Sequence, residues 1–130
     1  MAVITPAYTR NLGLQPFAAG NLSTTQVGNG DSTNTIDGGV RARGGAVVIT
    51  SAIGATPTVT VNIQGSIDGV NFFNIPYALV ATPRTFVLTA ITITTAVTTT
   101  YLLQELIPWR FLKLVYSANT NVTLTADAFL

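Results

Sequence analysis

The sequence predicts an all-β protein: an antiparallel β-sandwich, of jelly-roll type, with an extended N-terminal arm. Three observations predict it. Apolar and polar residues alternate at period two, most cleanly where Val59, Val61 and Ile63 interleave with Thr60, Asn62 and Gln64. Turn residues interrupt such stretches often enough to mark seven or eight short strands. No segment carries a convincing 3.6-residue period, although "YLLQELI" has room for one helical turn.

Taken in order, residues 1–44 are the arm. Eight of the eleven glycines fall within the first 45 residues, and "GNLSTTQVGNGDSTNTIDGGVRARGG" has few apolar anchors. Such a composition does not bury enough surface to fold alone. One short strand is expected near the end of this region. Val3, Ile4, Tyr8, Leu12, Leu14 and Phe17 are apolar beads spaced along it, as a docking arm would space them. A loose tail and a first strand of the sandwich are the alternatives.

The sandwich is expected over residues 45–130. "GAVVITSAI" is a β-branched run that suits a strand buried on both faces. The alternating strand ending at Gln64 leads to Asp68-Gly69, a tight hairpin turn, after which Val70, Phe72, Phe73 and Ile75 continue the pattern up to Pro76. "RTFVLTAI" follows Pro83, and the threonine-rich "TITTAVTTTYLL" divides at a turn near Thr94–Thr100. "WRFLKLVYSA" and "VTLTADAFL" form a closing pair around Asn119-Thr120-Asn121. Leu112, Leu114 and Tyr116 share one face, with Trp109, Phe111 and Val115 on the other. In the last strand Val122, Leu124, Ala126 and Ala128 point inward, while Thr123, Thr125 and Asp127 point outward.

Composition restricts the chemistry. The chain has no cysteine and no histidine, so thiol chemistry and the commonest general base and metal ligand are absent. No catalytic residue, cofactor or metal ligand is expected. A serine or threonine nucleophile would need an activating base, and the lone lysine, Lys113, lies mid-strand. Among the carboxylates, Asp68 belongs to the hairpin turn. Asp31 and Asp37, with Asn29 and Asn34, compose a conceivable loop calcium site, weighed against solvated turn residues. "GNGD" and "DGGVRARGG" lack the spacing of a phosphate-binding loop.

Six basic and five acidic residues make up 8% of the chain, against about 25% in an average domain. So few charges suit a surface covered in the working state, by copies of the chain or a larger assembly. The net charge of +1 disfavours a nucleic-acid binder. No basic start followed by an apolar run opens the sequence, and no stretch approaches about 18 apolar residues. Neither a secretory signal nor a membrane partner is expected, and synthesis is expected in the cytoplasm. Arg41 and Arg43 either meet acidic residues of a partner or stay hydrated. Trp109, Phe111 and Phe129 are the aromatic candidates for an interface, since both faces of "WRFLKLVYSA" are apolar.

At "GSIDGVNFFNIP" and "PWRFLKLVYSANTNVTLTADAFL" the chain resembles small structural proteins of tailed-bacteriophage virions. The matching residues are Gly65, Ser66, Asp68, Gly69, Asn71 and Phe73, then Pro108, Arg110, Leu112, Leu114, Tyr116, Ser117 and Ala118; the similarity covers residues 57–130. The resemblance implies a decoration or cement protein on the capsid surface of a virion, partnered by the major capsid protein and often trimeric. A tail or neck accessory protein is a variant of that reading. The same rhythm is similar to galactose-binding jelly rolls, which makes glycan binding the rival function.

Overall fold

The computed structural model describes residues 2–4, 19–38, 45–104 and 109–130. Ten strands occur among them: β1 (Ala2–Ile4), β2 (Ala19–Gln26), β3 (Gly30–Asp31), β4 (Asn34–Asp37), β5 (Gly45–Ser66), β6 (Phe73–Asn74), β7 (Tyr77–Leu79), β8 (Ile91–Ile93), β9 (Thr98–Leu103) and β10 (Phe111–Phe129). The described residues contain no helix, as the missing 3.6 period implies, and so none long and apolar enough to cross a membrane. Of "YLLQELI", residues 101–103 are strand and 105–107 lie outside the described residues.

All ten strands join one sheet, along the path β1-β4-β10-β5-β9-β7. β2 and β3 also pair with β10, and β6 and β8 also pair with β5. The sheet is mixed, which corrects the purely antiparallel expectation: β1 runs parallel to β4. A parallel pair needs a long connection, and the chain between Ile4 and Asn34 supplies one.

Two long strands make the frame. β5 has 22 residues and β10 has 19, where the sequence pattern suggested two shorter strands in each. Phe111–Ser117 runs opposite Thr60–Ser66, and Val122–Phe129 runs opposite Ala46–Ile53. The expected closing hairpin is therefore corrected. Asn119-Thr120-Asn121 does not reverse the chain; it forms an irregularity at which the register shifts twice.

Ala118 (φ 50°) and Asn121 (φ 54°) are left-handed there, and Thr56 (φ 47°) is left-handed in the facing part of β5. Side-chain amides supply hydrogen bonds at this level. Asn121 Nδ2 donates to the Ala55 carbonyl at 2.6 Å, and Asn119 Oδ1 accepts from the Val122 N–H at 3.1 Å.

Each half of the ribbon gathers its own neighbours. The half built from Ala46–Ile53 and Val122–Phe129 carries β9, β7 and β2. The half built from Thr58–Ser66 and Phe111–Ser117 carries β8, β6, β3 and β4. Apolar side chains from both halves enter one core, Val47, Ile49 and Leu124 from the first and Val61, Ile63 and Leu114 from the second. The buried Tyr116 hydroxyl donates to Ser23 Oγ at 3.2 Å, from one half to the other.

The inward residues expected on β10 are all buried, and so are Val59, Val61 and Ile63. "GAVVITSAI" differs from expectation. Val47, Ile49 and Ser51 are buried, whereas Ala46 and Val48 are half-buried and Thr50 is exposed. Apolar residues on both faces of a strand conceal its period, so the run alone does not reveal its burial. The turn expected near Thr94–Thr100 occupies residues 94–97, where Ser51 Oγ donates to the Thr95 carbonyl at 2.7 Å.

Residues 19–38 also differ from the arm with one short strand that composition suggested: they hold β2, β3 and β4, each paired with β10. Leu22 and Ile36 are fully buried anchors. Short polar side chains complete the attachment, as Leu114 N–H donates to Ser32 Oγ at 3.1 Å and Asn34 Nδ2 donates to the Asn21 carbonyl at 3.0 Å.

Candidate interaction surface

Residues 67–72 link β5 to β6, and Gly65 pairs with Phe73 across them. Asp68-Gly69 thus lies inside a wider loop, not in the tight turn expected from the sequence. Asp68 organises this loop. Its Oδ1 accepts from the Val70 and Asn71 N–H groups, each at 2.8 Å, and from Ser66 Oγ at 2.9 Å. Its Oδ2 accepts from Asn71 Nδ2 at 2.8 Å. These donors, the backbone N–H groups of Asn71 and Val70 foremost, hold the Asp68 carboxyl well below the usual carboxylate range.

The loop folds back over β10. A Cβ placed on Gly69 would lie 3.2 Å from Phe111 Cε2, and Gly69 itself is left-handed (φ +77°). Lys113 Nζ sits 4.2 Å from the Phe72 ring centroid and 3.0 Å from Asp31 Oδ2. The Arg110 guanidinium lies 5.0 Å over the Phe111 ring. Phe111, expected as an interface residue, is therefore half-buried beneath its own chain.

Trp109 also differs from its expected position opposite the core. It precedes β10, so strand alternation does not govern it, and it packs against the core cluster over Gly65. A Cβ on Gly65 would lie 2.7 Å from Trp109 Cγ. Phe73 borders the same ring, with centroids 6.1 Å apart. Phe129 stays outward and 41% exposed, opposite Ala46. Tyr8, Leu12, Leu14, Phe17, Arg41 and Arg43 lie outside the described residues.

Outside the expected set, Ile67, Val70 and Phe73 are 62%, 79% and 58% exposed around the loop. Leu79, Val80, Val87 and Leu88 form a second exposed apolar group near the β7–β8 connection. Ile67, Val70, Val80, Val87 and Leu88 lie beside turn residues, where strand burial does not reach, whereas Phe73 and Leu79 lie in the short strands β6 and β7.

The outer face of the first half-sheet carries little charge and is rich in threonine. Thr125 pairs across the strands with Thr50, and Thr50 Oγ1 bonds Thr98 Oγ1 at 3.0 Å. Thr125 Oγ1 donates to the Thr24 carbonyl at 2.9 Å. The one carboxylate on that strand, Asp127, accepts from Asn21 Nδ2 at 2.9 Å.

The conceivable calcium loop is corrected by the placement of its members. Asp37 meets Arg110 at 2.8 Å, Asp31 meets Lys113, and Asn29 Oδ1 accepts from the Asn119 N–H at 2.9 Å. Among the described residues no three His, Cys, Asp or Glu side chains gather as a metal site would require.

No family model matches the chain, and no curated protein matches it. Among solved structures, the crystal structure of SPBc2 prophage-derived protein YomS is similar in fold, with a TM-score of 0.58. The likeness covers 88% of this chain and 94% of that one, at 5% sequence identity. At that identity the likeness concerns the fold alone.

Proposed function

We propose that the protein is a non-enzymatic structural component of a tailed-bacteriophage virion, binding the outside of the capsid lattice and stabilising it as a decoration or cement protein. The supporting observation is the fold shared, over nearly the whole of both chains, with a prophage-derived protein. In this reading the folded ribbon of β5 and β10 is a two-layer sandwich of jelly-roll type. The partner is the major capsid protein, and copies associate as a homo-oligomer, with a trimer favoured. Nucleic acid and membrane are not partners. A tail or neck position is the nearest variant.

The surface chemistry agrees with that role. Eleven charged residues accompany an accessible surface of 6960 Å², and Asp31, Asp37, Asp68 and Asp127 all serve contacts within the fold. A neutral surface meets another protein without needing matched charges. Burial of about 2,000 Å² per copy would give an effectively permanent attachment. Repeated contacts around a symmetric lattice site would add avidity.

Glycan binding is the second reading, favoured by the Phe73–Trp109 pair, since Phe73 is 58% exposed. Co-sedimentation of the purified protein with shells stripped of accessory proteins tests the first reading. Saturation at a fixed copy number per lattice site is expected, and failure to sediment with shells rejects it. Sugar-competed binding to a glycan array would promote the second.

A further inference from the structure

The parallel pair of β1 and β4 joins two unequal partners. β4 is held by the body of the protein without β1. Phe111 and Leu112 of β10 pair with Asp37 and Ile36, and Ile36 is fully buried. Ser32 N–H donates to the Leu114 carbonyl at 2.7 Å, and Gly38 N–H donates to the Arg110 carbonyl at 2.7 Å. Ser32 Oγ donates to the Asn34 carbonyl at 2.8 Å. The edge that β4 offers is a rigid socket.

β1 is a peripheral insert of three residues. Ala2, Val3 and Ile4 register with Asn34, Thr35 and Ile36, and Ala2 N–H donates to the Thr33 carbonyl at 3.2 Å. Ala2 is exposed and Val3 is 56% exposed, so these two side chains bury little against their own chain.

We infer that the β4 edge accepts the Ala2–Ile4 segment of a second copy, each copy donating its β1 to a neighbour as a parallel added strand. The exchange preserves every backbone pairing of the socket and changes only which chain supplies the strand. Its reach is sufficient. Residues 5–18 separate β1 from β2, and fourteen residues extend up to about 45 Å. A compact 130-residue domain has a radius of gyration of about 14 Å.

Charge does not oppose the exchange. Neither Ala2–Ile4 nor Asn34–Ile36 contains a charged residue, and charge is a common device by which sheet edges prevent pairing between chains. A donor segment identical in every copy also allows a symmetric oligomer to close upon itself.

The inference rests on the self-association in the proposed function, and the test separates the two. The chain has no cysteine, so Val3→Cys with Thr35→Cys in the full-length protein places one disulfide-competent pair at this register. Under mild oxidation at low micromolar concentration, reductant-sensitive covalent oligomers are expected to predominate. Mixing the two single variants, distinguishable by mass, should yield a hetero-linked dimer. Ala2→Cys with Asn34→Cys, the adjoining pair, serves if the first variant does not fold.

Disulfides confined within single chains overturn the exchange. If light scattering then still finds an oligomer of the unsubstituted protein, self-association survives with another interface. A monomer overturns both.

Discussion

Arg110 and Asp37 meet as a two-point pair, Nε to Oδ1 at 2.8 Å and Nη2 to Oδ2 at 2.9 Å, tying the start of β10 to the end of β4. The Asp37 side chain is 6% exposed and the Arg110 side chain 44%. Charge-assisted, bidentate bonds are the stronger kind, and the open side of Arg110 weakens this one by solvent screening. Asp37→Asn and Arg110→Ala are each expected to cost about 1–2 kcal/mol in urea unfolding, with the double variant costing less than the sum.

The Asp68 loop should persist in acid. Its donors hold the folded-state carboxyl below the ordinary aspartate range. The loop's contribution is therefore complete above the unfolded value of about 3.9 and is lost only as pH falls through the lower folded value. The Val70 and Asn71 amides should thus remain protected from hydrogen exchange at pH 4. Asp68→Ala should abolish that protection at every pH while leaving β10 amides unchanged.

Gly65 and Trp109 share a space that admits no side chain. Gly65→Ala would set a Cβ 2.7 Å from Trp109 Cγ and 2.9 Å from its Cβ and Cδ2, so the indole must move. An overpacking cost of about 1–3 kcal/mol is expected. Trp109 is the single tryptophan of the chain, so its fluorescence should shift to the red as the ring gains solvent.

Tyr116 links stability to alkaline pH. Burial is the main cause that pushes its hydroxyl up to about 12, and the Ser23 hydrogen bond opposes the shift. Since the folded value is raised, the unfolded chain loses its proton first. Stability is complete below about pH 10 and declines as pH rises toward 12. Tyr116→Phe should flatten that decline in pH-dependent denaturation. At neutral pH it should cost about 1 kcal/mol through the lost bond to Ser23.

Much of the core could be read from the sequence because strands alternate. Val59, Val61 and Ile63 declare their buried face through the polar residues between them, and Leu112, Leu114 and Tyr116 share a face at the same period although Val115 lies between two of them. Pairing was not legible in the same way. Asn119-Thr120-Asn121 satisfies the demands of a turn and of a bulge alike, since both use left-handed residues and short polar side chains. Only the long partner strand β5 distinguishes them, and its register is a non-local fact.

Residues 19–38 were obscured for another reason. Their attachment rests on two buried aliphatics, Leu22 and Ile36, and on hydrogen bonds from Ser32 and Asn34. Average composition does not register so few anchors. At the candidate surface, the outward positions of Phe111 and Phe129 followed from simple alternation, whereas the packing of Trp109 on the core and the cover over Phe111 did not. The fates of those two depend on Gly65 and on the Asp68 loop, which meet them from distant parts of the chain.

The most direct test of the virion role uses shells of the parent phage stripped of accessory proteins, heated or osmotically shocked with and without the purified full-length protein. If the protein is a cement protein, saturating amounts raise the temperature at which the shells rupture. Unchanged rupture at saturation would contradict that role.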